Sequence, residues 1–386
     1  MSDTMNSHYI PRLLLKYFSE SGKVNSYSFT AGGFSTKKLK NTFTEEDIFD
    51  PELEAAFAEK LEGPFGDLLH HKLINNDEIT INRKENLLIR KFLMVNALRS
   101  PITNGSWDEI IERTQLKNHP SVLMSRIFEK AFPEYRTFMK DGLPSKDKYI
   151  VNLKKAMEID SLEDLADDRK SPDISLMLQL AARYAVVTVI ALWDCCDTGQ
   201  EFILPKLPGI SQMDQVSIFH KAVTISKILD EKKAAGEDGQ IIGELQRLEM
   251  GSAIFSENFS IYPISPTRAL IYFSPYFRSF FPVYDFSGKY EIYPPFLNKE
   301  QFDSCFFSPM RMELYRPCGN EYNRVYHYSV KKLTKEEILM INSLLLDMET
   351  EEFVFHDYNR VRDSFWYYDN MAKMAFKKKH DFSRLI

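Results

Sequence analysis

The sequence predicts an α+β fold that is mainly helical, with a few short antiparallel strands. Apolar residues recur at helical spacing over most of the chain before Cys195. After Cys195, short runs rich in β-branched and aromatic residues alternate with turn residues. A chain of 386 residues is expected to form one large domain. A soft subdivision near 194–200 would separate a helical N-terminal part from a mixed C-terminal part.

Local start and stop signals define the N-terminal elements. Proline loses no hydrogen bond at a first helical position, so the sequence predicts a helix over 11–19. A strand is predicted over 24–30. Asp50 followed by Pro51 is a carboxylate cap with proline at the first position, which predicts a helix start. The pair Gly63-Pro64 is expected to break or bend that helix.

The central part of the chain carries further helix signals. Asn82 and Glu85 have the spacing of a capping box and predict a helix that ends before Pro101. Shorter helical patterns follow up to about Ile159, and Ser161 is expected to cap another helix. The apolar run over 174–193 is interpreted as a long buried helix.

The C-terminal part alternates strands and helices. Thr334 and Glu337 are expected to form the capping box of the last clear helix. The predicted strands are 201–205, 259–263 and 268–273, and the predicted helices are 216–233 and 335–348.

Composition and charge exclude several classes of protein. The net charge is −6, which argues against binding nucleic acid over the whole surface. No apolar run approaches the ~20 residues that span a bilayer, and no signal-peptide core is present. We therefore expect a cytoplasmic protein with no membrane partner, and reduced thiols. None of the four cysteines has metal-ligand spacing: Cys195, Cys196, Cys305 and Cys318. No metal motif is found, and the cofactor and the oligomeric state stay open.

Several ordered segments resemble a bacterial family of proteins that carry the domain of unknown function 4238. The opening His8-Tyr9-Ile10-Pro11, with Leu15 and Phe18, is similar to the family's first motif. The similar later segments are Leu53-Glu54, Leu61-Glu62, Asn96-Ala97-Leu98-Arg99-Ser100-Pro101, 201–208 and Tyr262-Pro263-Ile264-Ser265-Pro266. Asn96 stands where the family has Gln, and 201–208 lacks an Asp of the family's turn. The resemblance implies kinship over most of 8–348 and no particular activity.

His8 and Arg12 are the first candidate site residues. Arg12 and Lys16 are four residues apart on a helix, where like charges repel slightly unless they face an anion. One interpretation is a phosphate or carboxylate contact in which His8 acts as acid, base or hydrogen-bond donor. The other is that His8 holds the N-terminus in place and Arg12 pairs with a carboxylate.

Arg99 is the second candidate, because it continues an apolar helix face that begins at Leu88. A buried arginine is costly unless it is paired, and Glu54 and Glu62 are its candidate partners. Those two glutamates are about two helical turns apart, roughly 12 Å, which is too far for both to hold one metal. We weigh a structural Arg–Glu pair against a catalytic acid–arginine cluster with His8.

The C-terminal tail interleaves cations with aromatic residues, a mixture used to bind nucleic acid. The candidate contact residues are Arg360, Arg362, Trp366, Lys377 and Lys378. The alternative is a C-terminal helix that buries its rings and leaves its cations in water.

Two hypotheses of function follow. The first is an enzyme that acts on nucleic acid or a phosphorylated substrate through His8, Arg12, Glu54, Glu62 and Arg99, in a bacterial defence setting. The second is a non-catalytic binding or scaffolding protein in which these residues are structural.

Overall fold

The computed structural model describes a large part of the chain in separate ranges. These are 6–46, 49–99, 146–167, 169–170, 178, 182, 185–186, 188–206, 210–213, 258–273, 310–314, 324–348, 351–370 and 382. The helix predicted over 216–233, the patterns over 107–145, and the candidate residues Lys377 and Lys378 lie outside them.

The described residues contain fifteen strands in four sheets. The strands are β1 Asn6–His8, β2 Ser19–Glu20, β3 Lys23–Ser28, β4 Gly33–Lys38, β5 Thr44–Glu46, β6 Glu78–Asn82, β7 Val189–Asp194, β8 Leu204–Pro205, β9 Ile210–Met213, β10 Asn258–Pro263, β11 Arg268–Phe273, β12 Met310–Leu314, β13 Arg324–Ser329, β14 Lys331–Lys332 and β15 Glu352–Phe355. All strand pairings are antiparallel among these residues except β14 with β7.

The helices lie mostly between these strands. The α-helices are Arg12–Tyr17, Pro51–Phe57, Gly63–Leu68, Arg83–Leu98, Lys146–Glu158, Leu162–Ala166, Lys335–Met348 and Tyr358–Asn370. About half of the described residues are helical and the strands form several antiparallel sheets, so the expectation of a mainly helical fold was wrong. The fold is roughly α+β, and many of the strands are too short for a sequence pattern to mark them.

The apolar run before Cys195 shows why the fold class was misjudged. Its last part, Val189–Asp194, is not the end of a long helix but the strand β7. β7 pairs with β11 on one side and with β14 on the other, and Ile190 to Trp193 are fully buried. A strand buried on both faces is a continuous apolar run, which periodicity cannot separate from a buried helix.

Strands from both ends of the chain share one sheet. β15 lies between β3 and β8, with Phe355 opposite Asn25 and Val354 opposite Leu204. The sheet therefore joins parts of the chain on both sides of 194–200, while a subdivision there stays a prediction.

The predicted helix caps are confirmed. The Asp50 side chain accepts from the Leu53 N–H, and Pro51 is the first helical residue. Capping boxes are formed by Asn82 with Glu85 and by Thr334 with Glu337.

The segment from Pro51 to Leu73 stays helical through Gly63-Pro64. Two π-helical stretches, Ala58–Glu62 and Leu69–Leu73, alternate with its α-helical parts. The π geometry replaces the expected break, because the wider turn tolerates a missing i→i+4 hydrogen bond. Phe65 stacks on Phe92 with ring centroids 3.6 Å apart, which fixes this segment against the helix Arg83–Leu98.

Candidate functional site

The candidate site lies between the π-containing segment Pro51–Leu73, the end of the helix Arg83–Leu98 and the end of β1. Arg99 is the residue that brings these elements together. Its side chain is 1% exposed, and its guanidinium carbon lies 3.9 Å from the centroid of the Phe57 ring. The face of an aromatic ring attracts a desolvated cation, so Phe57 helps to hold the guanidinium in place.

Both candidate glutamates approach Arg99. Nη1 of Arg99 lies 2.6 Å from Oε1 of Glu62, and Nη2 lies 3.7 Å from Oε2 of Glu54. The sequence indicated that one carboxylate could hold Arg99, since the two glutamates are about two helical turns, roughly 12 Å, apart. The π stretch Ala58–Glu62 holds more residues per turn and rotates Glu62 back toward the face of Glu54.

The carboxylate of Glu54 has an unusual environment. Burial raises its pKa, while the charge of Arg99 and the nearby Ser7 side chain lower it and the charge of Glu62 raises it further. The Ser7 hydroxyl itself donates to the Phe49 carbonyl, at 3.5 Å. Oε1 of Glu54 is buried without a hydrogen-bond partner.

His8 lies at the edge of this cluster and is 8% exposed. Its Nδ1 is 3.2 Å from the carbonyl oxygen of Thr42. A carbonyl oxygen only accepts, so Nδ1 carries the proton and Nε2 carries the lone pair. The pKa of His8 is lowered to about 4, mostly by burial and also by the charges of Arg12 and Arg99, against the opposing effect of the Thr42 hydrogen bond. His8 is therefore neutral at pH 7.

Arg12 is exposed on the helix Arg12–Tyr17, next to the cluster. Its charge acts on the pKa of His8, which places both groups in one electrostatic environment. The described residues offer Arg12 no carboxylate within ion-pair distance. The Thr42 contact connects His8 and the N-terminal segment to the residues before β5, whereas the described residues include no carboxylate partner for Arg12.

The structure thus brings His8, Glu54, Glu62 and Arg99 together and leaves Arg12 at the surface beside them. Sequence reasoning missed Phe57, which contacts Arg99, and Ser7, which lies close to Glu54. The sequence offered one signal for both residues, which is their position: Ser7 precedes the motif that begins at His8, and Phe57 lies between Leu53-Glu54 and Leu61-Glu62. Within the described ranges, no group of three or more His, Cys, Asp or Glu side chains has a metal-binding arrangement.

A second buried ion network lies elsewhere in the chain. Arg268 binds Asp194 through Nε at 2.5 Å and Asp77 through Nη2 at 2.9 Å. Nη1 of Arg268 also donates to the carbonyls of Leu73 and Asn76, at 3.3 and 2.6 Å. These bonds tie the end of the π-containing segment to β7 and β11, so we interpret the network as structural.

The C-terminal tail begins as a packed helix. Within Tyr358–Asn370, Val361, Phe365 and Tyr368 are buried, and Phe382 stacks on Phe365 with centroids 5.1 Å apart. The outer face carries the candidate residues Arg360, Arg362 and Trp366, and the Trp366 side chain is 48% exposed. Phe365 and Tyr368 are thus buried, Tyr367 is half-buried and Trp366 is exposed.

Among the described residues, no helix has the length and apolar character needed to cross a membrane.

The fold and the cluster define an α+β protein with a buried arginine held by two carboxylates. The family model described as a protein of unknown function (DUF4238) matches residues 6–187. The match supports the resemblance to this family over residues 6–187, and His8, Arg12, Glu54, Glu62 and Arg99 all lie within the matched segment. The similar segments proposed at 201–208 and 262–266 lie beyond it. No curated protein and no solved structure matches the chain.

Proposed function

We propose that the protein is an enzyme that acts on a phosphate-bearing substrate, with nucleic acid included in that class. The observation that carries the proposal is the neutral His8, with a fixed Nδ1–H and a lone pair on Nε2, between the exposed Arg12 and the buried Arg99 cluster. In this proposal Arg12 contacts the phosphate, and Nε2 of His8 accepts a proton from the attacking group.

The low pKa of His8 fits an anionic substrate. A pKa of about 4 makes free His8 a weak proton acceptor at pH 7. A phosphate that approaches Arg12 would offset the two positive charges that lower this pKa. Substrate binding would therefore strengthen His8 as a base at the moment when it is needed.

Arg99 has a different role in this proposal. It is 1% exposed and held by Glu62, so a substrate in this conformation does not reach its guanidinium. Arg99 is therefore a positioning residue, which keeps Glu54 and Glu62 in place and acts on His8 by its charge. Glu54 and Glu62 keep 23% and 19% of their side-chain surface exposed, so both carboxylates retain access to solvent.

The test uses labelled single-stranded DNA and RNA and p-nitrophenyl phosphate, with Mg²⁺ or with EDTA. We expect turnover of at least one substrate, and a loss of about 100-fold or more in kcat for His8→Gln. His70→Gln changes an exposed histidine and should leave activity unchanged. Absence of turnover on all substrates, or full activity of His8→Gln, would refute the proposal.

Arg12 allows an independent check of phosphate binding. We expect Arg12→Gln to raise KM with little change in kcat, because the contact binds substrate and transition state alike. Lys16→Gln is the matched control, since Lys16 is exposed one turn further along the same helix. Equal KM values for both variants would remove Arg12 from the binding site.

The second candidate function is a non-catalytic binding or scaffolding role. It is favoured by the enclosure of Arg99, which is the arrangement expected of a structural pair. In that case His8→Gln and Arg12→Gln would change no activity, and Arg99 variants would change stability alone. The bacterial defence setting is part of this proposal through the resemblance to a bacterial family, and the cytoplasmic location is part of it through the sequence.

Nucleic acid is the partner proposed for the outer face of the helix Tyr358–Asn370. Removing this helix would expose the core that Val361 and Phe365 help to form, so point variants are the better test. We expect the double variant Arg362→Gln, Trp366→Ala to bind labelled single-stranded DNA more weakly, with a salt slope reduced by about 1. Asn370→Ala is the control, and an unchanged slope in the double variant would exclude this face.

A further inference from the structure

Four buried polar atoms in and beside the Arg99 cluster have no hydrogen-bond partner among the described residues. They are Oε1 of Glu54, Nε of Arg99, and both Oδ1 and Nδ2 of Asn96. Asn96 is 1% exposed, and Arg99 is 1% exposed. Buried polar atoms in native proteins are nearly always paired with protein or with ordered water, so four of them in three neighbouring side chains need an explanation.

The three residues that carry these atoms are neighbours in the fold. Asn96 and Arg99 are three residues apart on one helical face, and the Arg99 N–H donates to the Asn96 carbonyl at 3.1 Å. A long side chain on a helix points back over the preceding turn, which here carries Asn96. Glu54 approaches the Arg99 guanidinium, with Oε2 at 3.7 Å from Nη2.

The four atoms comprise two hydrogen-bond donors and two acceptors. Nε of Arg99 and Nδ2 of Asn96 donate, while Oε1 of Glu54 and Oδ1 of Asn96 accept. A water molecule accepts two hydrogen bonds and donates two. We propose that Asn96, Arg99 and Glu54 enclose one bound water molecule, and that Asn96 positions the Glu54 carboxylate through it.

This inference concerns the hydration of the cluster and does not depend on the proposed reaction. A dry cluster would overturn it and leave the His8 assay unaffected. Conversely, a protein without phosphate chemistry would still hold the water.

The direct test is a crystal structure of the whole chain at about 1.5 Å resolution. We expect one ordered peak within hydrogen-bond distance of at least three of the four atoms. Asn96→Leu, of similar size and without polar atoms, should lose this peak. Absence of the peak in the wild-type protein overturns the proposal.

A stability comparison gives a second, opposite-sign test. If the water is present, Asn96→Leu strands Glu54 and Arg99 and lowers Tm by about 2 °C or more. If the site is dry, the same change removes two unpaired atoms, and Tm is unchanged or higher. Asn86→Leu calibrates the scale, because Asn86 is buried on the same helix and its amide bonds Tyr328 and Arg90 directly.

The positioning role has a readout that packing alone does not move. Losing the water removes a hydrogen bond to the charged carboxylate, so the pKa of Glu54 should rise in Asn96→Leu. Carbon-13 NMR titration of the Glu54 carboxyl in both proteins measures this, with Glu59 as an exposed reference. An unchanged pKa of Glu54 would contradict the link between Asn96 and Glu54.

Discussion

Glu201→Gln offers the sharpest test of the electrostatics of this fold. Glu201 is fully buried, and its Oε1 accepts from the backbone N–H groups of His356 and Asp357, at 2.6 and 2.8 Å. Oε2 is buried without a hydrogen bond, 4.0 Å from Nδ1 of His356. The pKa of Glu201 is raised to about 7, because burial and the charge of Asp357 raise it more than the two backbone hydrogen bonds and Arg360 lower it.

The raised pKa of Glu201 determines how the free energy of unfolding changes with pH. The folded-state pKa lies above the unfolded value, so the protonated form is favoured by folding. The stability gained from this group is fully present below about pH 4.5 and is lost as the pH rises through about 7. The difference between 4.5 and about 7 corresponds to roughly 3 kcal/mol in the free energy of unfolding.

Glutamine has nearly the same shape and does not ionise. We expect Glu201→Gln to gain roughly 3 kcal/mol relative to wild type between pH 4.5 and pH 8. Urea unfolding at several pH values, followed by circular dichroism, measures the difference in midpoint. Glu59→Gln, at an exposed position, is the control. Midpoint curves of wild type and Glu201→Gln that run parallel over this range would refute the reasoning.

Three further changes test the packing around the site and the fold. Arg99→Leu should lower the free energy of unfolding by about 3 kcal/mol, and adding Glu62→Leu should restore part of it, as measured by urea unfolding; a single variant as stable as wild type would contradict a buried pair. Asp50→Ala should cost about 1 kcal/mol through the lost helix cap, and an unchanged midpoint would show that the cap is dispensable. Asp194→Asn should cost about 3 kcal/mol at pH 7 and less as the pH falls below 3.8, the ordinary aspartate value, because the pKa of Asp194 is lowered overall. Burial, the largest influence, raises this pKa, and hydrogen bonds from Cys196 and the charge of Arg268 outweigh it. A loss that is independent of pH would contradict that assignment.

Local signals in the sequence were sufficient for the helix ends. The side chains of Asp50, Asn82 and Thr334 each accept a hydrogen bond from a backbone N–H three residues further on. Both partners of each cap therefore lie within four residues of sequence. The strand pairs of the sheets were not accessible in this way. Phe355 lies opposite Asn25 and Lys331 lies beside Trp193, and no pattern within either short segment specifies such a distant partner.

The candidate site was predictable in composition and less so in geometry. The expectation that Arg99 would be buried and bound by a glutamate was confirmed. The approach of both glutamates to Arg99 depends on the π stretch Ala58–Glu62, and the sequence pattern does not distinguish a π turn from an α turn. Glu201 was missed as a titrating group, because its burial results from the meeting of distant segments.

The helix Arg83–Leu98 carries two other buried cations, Arg90 and Lys91, whose partners are neutral oxygens. Arg90 donates to Asn86, Ala185 and Thr188, and Lys91 donates to the Ile159 carbonyl, at 2.6 Å. Among the described residues, neither has a carboxylate within ion-pair distance. Burial lowers the pKa of both, that of Lys91 to about 8.

Arg99 differs from these two cations in its partners. Neutral oxygens satisfy a buried cation without requiring a partly exposed carboxylate, so Arg90 and Lys91 can serve the scaffold alone. Arg99 instead holds two carboxylates that retain solvent access, next to a neutral histidine and an exposed arginine. Partial desolvation makes each charge at this position act strongly on the others. That combination, more than the burial of Arg99 itself, is the reason to look for chemistry at this end of the helix.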